Sequence, residues 1–189
     1  DGIDQMYGGA GADTMRGDAG DDRMNGEDGD DLMFGGTGAD LLLGGAGNDN
    51  MFGDDGNDRM FGDAGDDRMT GGAGDDVLTG GLGRDQMVGS AGADRFDFNV
   101  LADSVVGANR DVVYFERAEG DSIDVSNIDA NATIGGNQAF TFIGTAAFSG
   151  AAGQMRFSGG VLAGDVNGDG TADFEVRIGG ALGGGDIIL

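Results

Sequence analysis

The sequence has no cysteine, histidine, proline, tryptophan or lysine. Without cysteine no disulfide can staple the fold. Without histidine or cysteine, the common nucleophile–base arrangements and the His-containing zinc sites cannot be built. Neither an H-E-x-x-H nor a G-x-S-x-G motif is present. A carboxylate pair of the glycosidase kind would need a cleft, and nothing in the sequence points to one. The chain by itself is therefore not expected to be an enzyme. Cations are scarce: ten arginines stand against 35 acidic residues, a formal net charge of −25. Nucleic acid is excluded as a partner, because phosphate contacts need a positive footprint. No apolar run approaches the roughly 18 residues of a membrane span, so no membrane insertion is expected.

Glycine, in contrast, is abundant, with 43 among 189 residues. It falls into a nine-residue pattern, G-G-x-G-x-D-x-U-x with U a large apolar residue. Ten copies run without insertion from GGAGADTMR (8–16) to GSAGADRFD (89–97), and a truncated copy, GIDQMY, precedes them. Units this short cannot fold alone and imply stacked coils. The first and fourth positions are always glycine, as turns with positive φ or crowded backbone require. The second relaxes to Asp18, Glu27, Asp54, Asp63 and Ser90 and reads as less constrained. Positions seven to nine read as a strand of about three residues, with position eight pointing inward. That position holds Met6, Met15, Met24, Met33, Leu42, Met51, Met60, Met69, Leu78, Met87 and Phe96.

Turn, strand, turn, strand makes one coil per eighteen residues. The expected fold is all-β: a parallel β-roll solenoid over 1–97, right-handed by the usual preference of parallel crossovers. Its core is one side chain per repeat, too thin to offset the entropy of ordering the chain.

The sixth position supplies the missing stabilisation. It is Asp4, Asp13, Asp22, Asp31, Asp40, Asp49, Asp58, Asp67, Asp76, Asp85 and Asp94. An eighteen-residue coil stacks these into two columns, one beginning at Asp4 and the other at Asp13. Like charges at strand spacing repel unless cations lie between successive turns. Carboxylates and turn carbonyls form a hard oxygen donor set that suits calcium. The gaps allow up to about nine ions in the roll, which would bring the charge of −25 to about −7. Without calcium the chain should be expanded, so binding and folding are one event.

Arg23, Arg59 and Arg95 share position seven on one strand column, either as solvated counter-charges or as a ladder for an anionic polysaccharide. Leu32, Phe34 and Phe52 should cluster on one outer face, and Leu41, Leu43 and Phe61 on the other. Either cluster could meet a flanking catalytic domain. From Arg95 the period fails. Short Val-, Ile- and Phe-rich segments separated by Gly, Asn and Asp follow over 98–189. They should form a β-sandwich-like, antiparallel or mixed cap that continues the roll and covers its open end. Within it, DVNGDGTAD (165–173) places Asp165, Asn167, Asp169 and Asp173 at positions one, three, five and nine of an EF-hand-like loop. Thr171 would give its carbonyl at seven, for one further calcium. The alternative is an Asx-rich turn. Because the sequence starts within a repeat, it is expected to be the carboxyl-terminal piece of a longer protein.

The tandem GGxGxD nonapeptides resemble the RTX family of secreted calcium-binding proteins. GADRFDF (92–98), DSIDVSNIDAN (121–131), QAFTFIG (138–144), GDVNGDGTADFEV (164–176) and DIIL (186–189) resemble the carboxyl-terminal domain of serralysin-type metalloproteases. This resemblance implies a secreted, extracellular protein of a Gram-negative bacterium. It would leave the cell unfolded through a type I secretion apparatus and fold on meeting calcium outside. Asp186 to Leu189 would close an uncleaved export signal, and an N-terminal catalytic domain, here a zinc protease, would be the partner. The position-six aspartates and the carbonyls of the glycine turns would be the calcium ligands. The methionine-rich core departs from the family's usual Leu or Ile. The alternative expectation is an alginate-binding module of a secreted epimerase.

Overall fold

A computed structural model describes residues 2–189. Eleven strands follow the repeat: β1 (Gln5–Ala10), β2 (Thr14–Ala19), β3 (Arg23–Asp28), β4 (Leu32–Thr37), β5 (Leu41–Ala46), β6 (Asn50–Asp55), β7 (Arg59–Ala64), β8 (Arg68–Ala73), β9 (Val77–Leu82), β10 (Gln86–Ala91) and β11 (Arg95–Asp97). Each strand pairs in parallel with the strand two along, always eighteen residues away, as in Met24 against Leu42 and Met33 against Met51. Odd strands make one sheet and even strands the other. The result is the all-β parallel solenoid, with about five turns and its core sandwiched between the sheets.

The core is the single row per sheet that the period-two pattern demands. Met24, Met33, Leu42, Met51, Met60, Met69, Leu78, Met87 and Phe96 are all buried. Methionine, unbranched and polarizable, fills this narrow slot where the facing rows meet. Outside, Phe34 stacks on Phe52 with ring centroids 5.1 Å apart, and the Arg16 guanidinium lies 4.1 Å over Phe34. Leu41, Leu43 and Phe61 lie on the opposite sheet, half-buried.

Strands β1 to β10 are six residues long, not three, because each runs through the first three positions of the following repeat, and only β11 has the expected three. The first-position glycines show why. They do not have positive φ; they face inward, and there is no room for a Cβ. One built on Gly44 would come 2.8 Å from the Gly62 carbonyl oxygen and also strike Asp49 Oδ2. The second position is where the strand bends, with positive φ throughout; its backbone torsion is restricted, but its side chain is not. Asp18 (φ 68°), Glu27 (73°), Asp54 (73°), Asp63 (67°) and Ser90 (84°) adopt it without being glycine, a conformation that costs an L-residue about 1 kcal/mol or more. Fourth-position glycines combine positive φ with close contact to the coil before, and their N–H groups stitch coils together, as in Gly38 to the Asp55 carbonyl at 2.8 Å.

Beyond Asp97 the two sheets continue. β12 (Val112–Tyr114) and β17 (Phe174–Ile178) extend the even sheet in parallel. β16 (Val161–Asp165) and β15 (Gln154–Ser158) then add antiparallel, and β14 (Thr141–Phe142) adds last. β13 (Ser122–Asp124) and β18 (Ile187–Ile188) extend the odd sheet. This carboxyl-terminal region is therefore a distinct mixed-sheet region built on the ends of both roll sheets. Phe98, Phe115, Val125, Phe140, Phe174 and Val176 are buried within it, giving it the larger side chains that the roll lacks.

Candidate metal centre

The strand register carries the sixth-position aspartates into two ladders. Each Oδ1 accepts the backbone N–H of the aspartate one coil earlier. In one ladder Asp31 Oδ1 receives Asp13 N–H (2.8 Å), Asp49 receives Asp31 (2.8 Å), Asp67 receives Asp49 (2.8 Å) and Asp85 receives Asp67 (2.9 Å). In the other, Asp22 receives Asp4 (2.7 Å), Asp40 receives Asp22 (2.7 Å), Asp58 receives Asp40 (2.8 Å), Asp76 receives Asp58 (2.8 Å) and Asp94 receives Asp76 (2.9 Å). Asp4 is exposed and Asp13 half-buried at the open end, whereas every later member is buried.

The second oxygen is the anomaly. Oδ2 of Asp13, Asp22, Asp31, Asp40, Asp49, Asp58, Asp67, Asp76, Asp85 and Asp94 is buried with no hydrogen-bond partner. An unpaired buried carboxylate oxygen is costly, and a column of them is more so. Burial pushes Asp67 up to about 8, Asp76 to about 7, and Asp58, Asp85 and Asp94 to about 6. Asp40 and Asp49 rise for the same reason. The backbone N–H to each carboxylate opposes the rise, and neighbouring carboxylates add to it. From Asp13 to Asp76, each Oδ2 lies beside the first-position glycine of its own repeat, where the carbonyl of the glycine one coil on also approaches. Asp49 Oδ2 and Gly62 O both crowd Gly44 in this way. Carboxylate and carbonyl oxygens without a proton donor between them fit a hard cation or, in acid, a proton on the carboxylate.

The ladders are longer than the repeat. Asp111 Oδ1 receives Asp85 N–H (2.8 Å) and Asp121 Oδ1 receives Asp94 N–H (3.1 Å). Both are buried, burial pushes Asp111 up to about 8 and also raises Asp121, and Asp111 Oδ2 has no partner. Reading by nonapeptides misses them. The signal was present, because DVVY (111–114) and DSID (121–124) repeat the D-x-U-x half of the motif, with Val113 and Ile123 buried at the U position. Two further rows of contacts, on the surface, were also missed. Fifth-position Asp21, Asp30, Asn48, Asn57, Asp66 and Asp75 accept N–H groups from the coil that follows.

The 165–173 loop differs. Asp165 Oδ1 and Oδ2 accept Gly168 N–H (2.7 Å) and Gly170 N–H (3.0 Å). Asp173 accepts Val166 N–H (2.9 Å) and the Asn167 side-chain amide (2.9 Å). Asn167 Oδ1 accepts Asp169 N–H, and Asp169 Oδ1 accepts the Thr171 N–H and hydroxyl, which holds the Asp169 carboxyl below its ordinary range. Here the loop's own donors already take up the oxygens. Among the described residues no three His, Cys, Asp or Glu side chains converge as a metal cluster, so a cation in the roll would depend on carbonyls as much as on carboxylates.

Comparison with known proteins gives three findings. No curated protein matches. Among solved structures, the chain is similar to the AlgE6R3 subunit of the Azotobacter vinelandii mannuronan C5-epimerase, at 27% identity over 82% of this chain and 80% of that one, with a TM-score of 0.34. The expectation of a serralysin-like zinc protease as the parent, which rested on the segments at 92–98, 121–131, 138–144, 164–176 and 186–189, is corrected: the similar solved structure is a subunit of an epimerase, not of a protease. The family model for the RTX calcium-binding nonapeptide repeat matches four times, at residues 1–33, 25–60, 34–69 and 61–96. With half of the chain matched and its aspartates stacked in ladders, the protein belongs to the RTX calcium-binding nonapeptide repeat family.

Proposed function

We propose that this chain is a calcium-folded stabilising module of a larger extracellular protein. One observation carries the reading: the row of buried carboxylate oxygens that have no partner. Calcium taken up along both ladders would cancel their charge and complete the roll. Its ligands would be the Oδ2 atoms of Asp13 to Asp94 together with carbonyls of the glycine turns, with Asp4 contributing at the exposed end and Asp111 and Asp121 at the other. Up to about nine ions is the capacity proposed for the repeats. The 165–173 loop is proposed as one weaker site, because an ion there must compete with the loop's own N–H donors. Free calcium is scarce inside cells and plentiful outside, so folding would follow arrival outside. The test is calorimetric titration of the full chain with calcium, in parallel for D49N and D169N. A loss of stoichiometry for D49N supports the reading; unchanged stoichiometry and affinity would sink it.

A second reading, binding of an acidic polysaccharide such as alginate, is favoured by Arg23 and Arg59. Both are exposed in one row of the odd sheet, two strands apart with Leu41 between, or about 10 Å. Arg95 continues the row but is held by Asp97, with Nε 2.7 Å from Oδ1. Alginate affinity of the calcium-loaded chain should fall in R23A/R59A; equal affinity would remove this reading.

A further inference from the structure

On a chain with ten arginines and a net charge of −25, three arginines line one cleft. Arg84, Arg110 and Arg177 come together on the even sheet with Gln86 and Tyr114, around a volume of about 370 Å³. The repeat does not require this. Arg84 occupies a fifth position, which elsewhere in the ten full copies holds only Asp, Asn or Ala. Arg110 precedes β12, and Arg177 lies on β17 in register with Val112. Residues distant in sequence thus converge where the roll passes into the mixed-sheet region. The volume falls within the range of small-molecule sites, about 300–1,000 Å³.

The charges can be followed one by one. Arg84 Nη2 is 3.6 Å from Asp66 Oδ2, an exposed and weak pair. Arg110 is fixed: Nε donates to the Gly107 carbonyl (2.6 Å) and Nη1 pairs with Glu175 Oε2 (3.0 Å). Arg177 has no ion-pair partner among the described residues. Two carboxylates offset two of the three guanidinium groups that line the cleft, leaving one positive charge in its lining, on Arg177, while Arg68 stands outside the lining, one strand away in register with Gln86. A single surplus charge matches a monoanion, and the acidic body around it disfavours a polyphosphate or any strongly charged ligand. The remaining wall is a half-exposed tyrosine ring and an amide. Such a wall suits a hydroxylated ring: one face against Tyr114, hydroxyls toward Gln86.

We propose that this cleft binds a sugar acid, a hexose-sized ring bearing one carboxylate, with the Arg177 guanidinium paired to the carboxylate and Tyr114 against the ring. The cleft lies on the sheet opposite the Arg23–Arg59 row, and the proposal does not rest on either reading above. Its test uses the tyrosines. Only Tyr7 and Tyr114 are present, with no tryptophan, so Y7F leaves Tyr114 as the sole reporter. The calcium-saturated Y7F chain is titrated with D-glucuronate at constant free calcium, with acetate and D-glucose as separate probes. The expected result is a saturable change in Tyr114 emission with glucuronate and a far weaker one with acetate or glucose. R177Q should weaken it about tenfold or more, and R16Q, at the far end of the same sheet, should leave it unchanged. Far-UV circular dichroism confirms folding of each variant; should R177Q not fold, R84Q takes its place. No saturable response to glucuronate, equal responses to acetate and glucuronate, or affinity unaffected by the cleft substitution would each overturn the proposal.

Discussion

Replacing Asp58 by Asn should act in opposite directions with and without calcium. Asp58 sits in mid-ladder. Its Oδ1 receives Asp40 N–H and its own N–H goes to Asp76 Oδ1, both at 2.8 Å. Its Oδ2 is buried without a partner, and burial pushes the carboxyl up to about 6. Asn keeps the Oδ1 acceptor and the shape while removing the charge. In calcium, the substitution removes an oxygen donor from the gaps above and below. At free calcium 100-fold above the dissociation constant, each lost site is worth about 2.7 kcal/mol, so one or two sites cost about 3–5 kcal/mol. In chelator with TMAO, which favours compact states, the same change deletes a buried unpaired charge and should raise the β signal. Asp58→Ala separates the two effects: it also orphans the Asp40 N–H, which costs about 1–3 kcal/mol with or without metal. The assay is urea unfolding at saturating calcium and chelator-plus-TMAO refolding, both by circular dichroism. If D58N destabilised equally in both, the reasoning from unpaired oxygens would be refuted.

Acid should partly replace calcium. The ladder carboxyls are raised in the folded chain to between about 6 and about 8, so their contribution to metal-free stability is full below the unfolded value near 3.8 and lost as pH rises through that range. In chelator, β signal should therefore grow on acidification, while calcium affinity falls as protons compete; a metal-free chain indifferent to pH would contradict this. Gly53→Ala places a methyl 2.5 Å from the Gly71 carbonyl oxygen and against Asp58 Oδ2, and should cost at least about 3 kcal/mol in thermal melts in calcium. Asp63→Gly relieves a left-handed residue (φ 67°) on the surface and should stabilise by about 1 kcal/mol in the same melts. Met60→Ala, in the fully buried row, should cost about 2–5 kcal/mol, and Met60→Leu under about 1.5 kcal/mol.

Where strict periodicity governed, the sequence was legible. Position eight alone identifies the core row from Met15 to Phe96, and position six identifies both aspartate ladders as far as Asp94. What periodicity could not convey was the reason for each glycine. Gly44 and its equivalents are required by a neighbouring oxygen, whereas the positive φ lies at the fourth position and at the second, where Asp18 and Ser90 disguise it. A pattern of residue types does not distinguish lack of room from backbone torsion. Asp111 and Asp121 escaped because spacings of 26 and 27 residues replace the spacing of 18, although the local D-x-U-x survives. The arginine cleft escaped for a stronger reason: Arg84, Arg110 and Arg177 meet only through the register of β10, β12 and β17, which no local pattern encodes. The 165–173 loop looked like the ladders in composition but differs in its donors, since glycines there turn N–H groups toward the carboxylates.

The most direct test of calcium as the element that completes the roll is a calcium titration of the full chain followed by far-UV circular dichroism, with magnesium as control. A cooperative gain of β signal with calcium and none with magnesium is the predicted result. A chain already folded in chelator at neutral pH, with no change on adding calcium, would contradict the claim, because the unpaired oxygens of Asp22 to Asp94 would then be tolerated without any cation.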